Sequence, residues 1–172
     1  MTADCNIISS KALSTVASGG CIVYPTSTQP ALGCLPTNAA LDGLYAIKNR
    51  PFDMPVSIGV ADLEQASGLV ELTDEIPDLL ASFPEGSLTL VLPAKETLDS
   101  RLGGDKIAIR VVAHPVAKAL LRATGPLTAT SANISGTEPE ANCPDAVDIL
   151  EKAGHEVGLV KGNTPGGSPS TL

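Results

Sequence analysis

Short apolar runs that read as strands alternate with capped helical segments along nearly the whole chain, and this alternation restricts the fold more than any single motif does. Ser9 or Ser10 can cap a first helix with Ala12, Leu13, Val16 and Ala17 on its apolar face, and Gly19-Gly20 stop it. Residues 21–24 form a compact apolar strand closed by Pro25, and a polar loop over residues 26–34 follows directly. Asn38 can cap a second helix bearing Leu41, Leu44, Tyr45 and Lys48. That helix ends at Lys48-Asn49-Arg50-Pro51, because Pro51 disfavours helical geometry at Arg50. Further strands are expected over residues 56–60, 88–92, 106–112, 127–130 and 158–160. Further helices are expected over 62–67, from Thr73 or Asp74 to Ala81, from His114-Pro115 to Arg122, and from Pro144. No helix fits between residues 92 and 106, so those two strands should pair antiparallel. The fold class is α/β, a mixed sheet covered by helices.

The 172 residues suffice for one domain, read as residues 1–172, with a core of ordinary size. Hydrophobic residues make up 43% but aromatics only 2%, so the core must come from Leu, Val, Ile and Ala. The same shortage argues against a stacking surface for single-stranded nucleic acid. A net charge of −8 excludes a general polyanion binder, so a phosphate ligand must be held by a few local cations against the overall field. Cys5, Cys21, Cys34 and Cys143 are scattered, with no C-x-x-C pair, which suggests neither a zinc site nor a disulfide framework. Reduced thiols in a cytoplasm are the simplest reading. No cation-led apolar leader and no membrane-length apolar run are present, so the expectation is a soluble, cytoplasmic protein with no membrane partner.

The stretch Pro126-Leu127-Thr128-Ala129-Thr130-Ser131-Ala132-Asn133-Ile134-Ser135-Gly136 runs from a strand into small polar residues. In an extended segment Ser131 and Asn133 face the same side, and their hydroxyl and amide could meet phosphate or carboxylate oxygens. A Ser/Asn turn that bonds only its own backbone is the alternative. Lys11, Lys95, Arg101, Lys118, Arg122 and Lys152 read as solvated cations on helix faces or loops. Lys48 and Arg50 stand apart, two residues apart at a helix end before a Pro turn. One can reach a phosphate as a point charge and the other can grip it as a fork, or both can simply neutralise the helix C-terminus. Arg110 lies inside the apolar run Ile107-Ala108-Ile109-Arg110-Val111-Val112, so it faces a cleft or is paired with an acid. There is no P-loop and no G-x-G-x-x-G before a helix. His114 reads as structural, His155 as a surface-loop residue, and no nucleophile–base triad assembles. The pattern fits catalysis by positioning and charge neutralisation, as in nucleotidyl or phosphoryl transfer.

Six ordered motifs resemble the YrdC-like threonylcarbamoyl-AMP synthases. They are Tyr24-Pro25-Thr26-x-Thr28 with Leu32-Gly33-Cys34; Lys48-x-Arg50-Pro51; Pro84-x-Gly86-x-x-Thr89-Leu90-Val91-Leu92; Ile109-Arg110-Val111 with His114-Pro115; Ser131-Ala132-Asn133-Ile134-Ser135-Gly136; and the closing Pro169-Ser170-Thr171. The resemblance implies a twisted mixed sheet around a deep, locally positive central cavity, in the short single-domain form of the family. It implies that L-threonine, bicarbonate and ATP give threonylcarbamoyl-AMP and pyrophosphate, with Mg2+ accompanying the triphosphate. The product would feed t6A modification of tRNA, so a tRNA-modifying transferase complex is the implied downstream partner. By the same resemblance Lys48 and Arg50 are the catalytic groups and, with Ser131 and Asn133, bind the ATP phosphates. Thr26, Thr28, Arg110 and Thr130 would lie on the threonine side, and Ser170 and Thr171 belong to the closing motif. No residue is assigned to a metal. The chain departs from the family pattern at Ser27, Pro30 and Ala31, where an acidic residue, a Tyr and a Gly are usual. That departure leaves open an alternative, a YrdC-like nucleotide- or RNA-binding paralogue without threonine-specific chemistry.

Overall fold

Most helices start where a polar side chain takes a free amide of the first turn. The computed structural model describes residues 8–165. Ser9 caps α1 (Ser10–Ala17), Thr37 caps α2 (Asn38–Lys48) and Asp62 caps α3 (Leu63–Ala66). Then α4 (Glu75–Ala81) begins without a side-chain cap bond. His114 caps α5 (Pro115–Thr124) and Asn142 caps α6 (Cys143–Lys152). The second helix is thus capped one residue earlier than expected: the Thr37 hydroxyl accepts the Ala40 N–H at 3.4 Å, and Asn38 becomes helical. Asn49 closes α2 in the left-handed region at φ 50°, which turns the chain sharply before Arg50 and Pro51.

The strands are β1 (Ile22–Tyr24), β2 (Ala31–Gly33), β3 (Ile58–Val60), β4 (Leu90–Pro93), β5 (Lys106–Val111), β6 (Leu127–Thr128), β7 (Thr130–Ser131) and β8 (Gly158–Leu159). They form two four-stranded mixed sheets, ordered β7-β2-β1-β8 and β4-β5-β3-β6, where a single sheet was expected. The β4–β5 pair is antiparallel, as the missing helix between them required. β3 runs parallel to β5 and antiparallel to β6, and β8 runs parallel to β1.

Two sequence expectations fail at the place where the sheets meet. The strand expected over 127–130 divides at Ala129. Thr128 pairs with Ile58 in one sheet, whereas Thr130 pairs with Leu32 in the other. Ser57 bridges the break: its carbonyl accepts the Ala129 N–H and its hydroxyl donates to the Ala129 carbonyl, each at 2.9 Å. The polar loop expected over 26–34 likewise ends in β2, which is buried throughout and paired on both edges. Gly33 is required there. A Cβ on it would lie 2.6 Å from the Tyr24 ring and 2.8 Å from the Thr128 carbonyl oxygen.

The core is aliphatic, as the composition required, with Tyr24 and Tyr45 fully buried beside Ile, Leu, Val and Ala. Arg101, expected as a solvated cation, is 9% exposed. It is gripped by Asp42 at 2.6 Å and Asp99 at 3.0 Å, and it packs on the Tyr45 and Phe52 rings. These two carboxylates hold its guanidinium more strongly protonated than usual. Among the described residues no helix is long and apolar enough to cross a membrane.

Candidate functional site

The segment that crosses between the sheets is also the hub of the site. After β7, the Ala132 N–H donates to the Pro30 carbonyl at 3.0 Å, and the Ser135 N–H donates to the Lys48 carbonyl at 2.8 Å. The Ser131–Ser135 turn is therefore fastened both to the loop before β2 and to the end of α2. Lys48 completes the joint. Its Nζ donates to the Ser131 carbonyl at 2.6 Å, the Asn133 carbonyl at 3.0 Å and Asn133 Oδ1 at 3.2 Å. The Ser131 hydroxyl donates to the same Oδ1, while Asn133 Nδ2 donates to Ile134 and Thr137 carbonyls. Ser131 and Asn133 do face one another, and Lys48 meets both.

Lys48 is 2% exposed and has no carboxylate partner among the described residues. Burial, with the nearby Arg50 charge, lowers its ammonium to about 8. It is still mostly protonated at neutral pH. Arg50 is half-buried, with Nε donating to the Met54 carbonyl at 2.8 Å and Nη2 to the Pro55 carbonyl at 2.9 Å. Those bonds fix the guanidinium plane, and no carboxylate among the described residues pairs with its charge.

Two cavities adjoin along Ala129 and Thr130, which line both. The first, about 520 Å³, is lined by Arg50, Ser57, Thr89 and Lys106 among others. The second, about 410 Å³, is lined by Thr26, Thr28, Pro30, Arg110 and Ser131 among others. Among the described residues no Asp or Glu lines either cavity, although the chain carries 19 acidic against 11 basic residues. A local excess of positive charge inside an acidic molecule suits an anionic ligand.

Arg110 is 8% exposed and faces the second cavity rather than an acid. Its Nε donates to the Gly86 carbonyl at 3.0 Å and its Nη2 to Ser27 Oγ at 3.4 Å. Burial lowers its pKa. The hydroxyls of Thr26 and Thr28 lie 3.2 Å apart, on one side of the loop as expected. Thr26 also donates to the Gln29 carbonyl and accepts the Thr28 N–H, so its hydroxyl shapes the loop while Thr28 remains the freer of the two. Thr130 lines both cavities. Ser170 and Thr171 lie outside the described residues. His114 is structural, as expected: Nδ1 accepts the Val116 N–H and Nε2 meets the Asn163 carbonyl.

A family model for Sua5/YciO/YrdC, described as telomere recombination, matches residues 14–172. The chain belongs to the Sua5/YciO/YrdC family. It is 39% identical over 146 residues to the threonylcarbamoyl-AMP synthase of Stenotrophomonas maltophilia, covering 80% of this chain and 77% of that protein. Its fold matches P. abyssi Sua5 complexed with L-threonine at a TM-score of 0.80 and 30% identity, over 94% of this chain and 50% of that one. E. coli YciO matches at a TM-score of 0.77 and 29% identity, over 94% and 82% of the two chains. This Sua5/YciO/YrdC chain thus spans half of the P. abyssi protein and most of the other two.

Motif reading missed several lining residues of this Sua5/YciO/YrdC site. Ser57, Ala129 and Lys106 were not singled out. Lys106 could have been found from strand alternation, since it lies four residues before Arg110 and on the same face of β5. Ser57 carries no comparable signal, because its role depends on Ala129, far along the chain.

Proposed function

We propose that this chain is a threonylcarbamoyl-AMP synthase that joins L-threonine, bicarbonate and ATP. The observation that carries the reading is the pair of acid-free cavities meeting at Ala129 and Thr130, one flanked by Arg50 and the other by Arg110. Two differently shaped anions can thereby be brought to one junction, which is the positioning that adenylate formation needs. The names of the relatives at this level of identity support the same chemistry.

In this reading the second cavity takes threonine. Arg110 holds its carboxylate and Thr28 offers a hydroxyl, with the Thr26 hydroxyl keeping the loop in shape. The threonine amine and bicarbonate combine to a carbamate with loss of water. A carbamate oxygen then bonds to the α-phosphorus of ATP while the α–β P–O bond breaks, and the electron pair leaves with pyrophosphate. Lys48, Arg50, Ser131 and Asn133 bind the phosphates and offset the charge that develops on them. To do so, Lys48 exchanges part of its bonding to the Ser131 and Asn133 carbonyls for phosphate oxygens. Magnesium accompanying the nucleotide would neutralise phosphate charge and would meet no carboxylate among the described residues of either cavity lining. The product passes to a tRNA-modifying transferase complex in the cytoplasm. A net charge of −8 suits handing over a small adenylate better than gripping tRNA directly.

The departure at Ser27, Pro30 and Ala31 favours a second reading, in which nucleotide binds without threonine-specific chemistry. Pro30 and Ala31 line the second cavity, so the change falls on the amino-acid wall. Pyrophosphate release from ATP and bicarbonate, with each amino acid supplied in turn, separates the two. The synthase reading expects release with threonine and threonylcarbamoyl-AMP by mass spectrometry. ATP binding with no release for any amino acid would leave only the second reading.

A further inference from the structure

The first cavity holds a cation that no motif accounts for. Lys106 opens β5 and lines that cavity together with Arg50. Along β5, Ile107 and Ile109 are buried in the core, while Lys106, Ala108 and Arg110 share the opposite face. Four residues at about 3.3 Å each put Lys106 and Arg110 about 13 Å apart on one strip, with only the small Ala108 side chain between them. Ala108 lines the first cavity and Arg110 the second, so this strip runs beneath both. Lys106 is exposed and makes no ion pair among the described residues. The adjacent carboxylate, Asp105, accepts the Thr97 hydroxyl instead.

We propose that Lys106 is a further binding residue for the pyrophosphoryl end of ATP, acting with Arg50 in the first cavity. The proposal rests on the synthase reading, because the direction of the reaction supplies the argument. The attacking and leaving oxygens of a phosphoryl centre lie roughly in line. A carbamate held by Arg110 attacks from the second cavity. The bond to pyrophosphate therefore breaks on the far side of the junction, toward the first cavity. The leaving pyrophosphate takes most of the negative charge of the triphosphate with it. Arg50 and Lys106 are the cations that the lining places there, with no carboxylate to oppose them. The Ser57 and Thr130 hydroxyls add polar contacts on the same lining.

The test uses the full chain and three probes: inorganic pyrophosphate, AMP and L-threonine, each with magnesium, titrated calorimetrically. The variants are Lys106→Met, which keeps the stem and removes the charge, and Lys106→Arg. Because Lys106 is exposed and unpaired among the described residues, thermal melts of both variants should match the parent. Lys106→Met is expected to weaken pyrophosphate binding about two- to fivefold, the range for a solvent-screened charge contact. Lys106→Arg restores most of it. AMP, which lacks the β- and γ-phosphates, and threonine bind all three proteins alike. Equal pyrophosphate binding by the parent and Lys106→Met overturns the proposal and leaves the synthase reading standing. Equal weakening of AMP and pyrophosphate overturns it too, since Lys106 would then act on the α-phosphate or on the fold. A parent protein that binds neither pyrophosphate nor ATP overturns the synthase reading itself.

Discussion

The charge of Lys48 should titrate within an accessible range, and nucleotide binding should follow it. Burial and then the Arg50 charge bring its ammonium from 10.5 to about 8. If phosphate engages only the protonated form, apparent affinity follows the protonated fraction. That fraction falls from about nine-tenths at pH 7 to about one-tenth at pH 9, so a nonhydrolysable ATP analogue should bind roughly tenfold more weakly at the higher pH. The terminal phosphate ionises near pH 6 and guanidinium groups stay charged, so neither adds a slope there. Calorimetry across pH 7 to 9, in two buffers of different ionisation enthalpy, measures affinity and proton uptake together. At pH 9 close to one proton should be taken up per nucleotide. Lys48→Arg should flatten the profile, because its cation does not titrate in this range. An affinity independent of pH in the parent protein, with no proton uptake at pH 9, would refute the assignment of Lys48 to the phosphates. The free protein carries the same titration with a defined sign. The unfolded chain holds this proton up to about 10.5 and the folded chain only to about 8. Between those values the unfolded state binds more protons, so the Lys48 contribution to stability rises with pH. Below about 8 the burial cost is present in full.

Other substitutions separate binding from folding. Arg50→Ala should weaken ATP binding about tenfold or more, read by the same titration, as a charge-assisted contact to phosphate is lost. Lys118→Ala should leave it unchanged, since that ammonium pairs with the exposed Glu85 at 2.5 Å, away from both cavities. Gly33→Ala should lower stability by about 1–3 kcal/mol in denaturant titration, because the new methyl meets the Tyr24 ring and the Thr128 carbonyl. Pro30→Tyr should tighten L-threonine binding several-fold by returning a ring and a hydroxyl to the wall of the second cavity. Unchanged threonine affinity would mean that the wall serves a different substrate.

What the sequence displayed and what it concealed divide along a physical line. Helix starts at Ser9, Asp62 and His114-Pro115 were legible because a cap bonds an amide two or three residues away. The end of α2 was legible for the same reason, in Asn49 and Pro51. The break at Ala129 was not. Leu127 to Thr130 has an unbroken strand pattern, and only Ser57, 72 positions earlier, reveals that the ladder changes partner there. β2 was hidden because three residues ending in Gly33 carry no alternation, and one of its two partners, β7, lies far along the chain. Arg101 looked like a surface cation because Asp42 and the Tyr45 and Phe52 rings that bury it stand far away along the chain.

The same division explains why the site sits at the crossing. A strand that crosses into a second sheet and then turns away exposes backbone carbonyls that the ladders do not satisfy, and those carbonyls need donors. At Ala129 the donor is the Ser57 hydroxyl. At Ser131 and Asn133 the donor is Lys48, a cation with no acid partner among the described residues. The fold thereby holds a buried positive charge using only neutral oxygens. A carboxylate in that place would have cancelled the charge. Carbonyl oxygens stabilise the ammonium while leaving its net charge available to an anion. Replacing Asn133 by Asp tests this directly. The new carboxylate would sit at Lys48 Nζ, raise the lysine pKa and cancel the ammonium charge. Asn133→Asp should therefore fold, lose nucleotide affinity by about tenfold or more, and lose the pH dependence of binding between 7 and 9. Retained nucleotide affinity in Asn133→Asp would show that the uncompensated charge of Lys48 is not what draws the phosphates to this crossing.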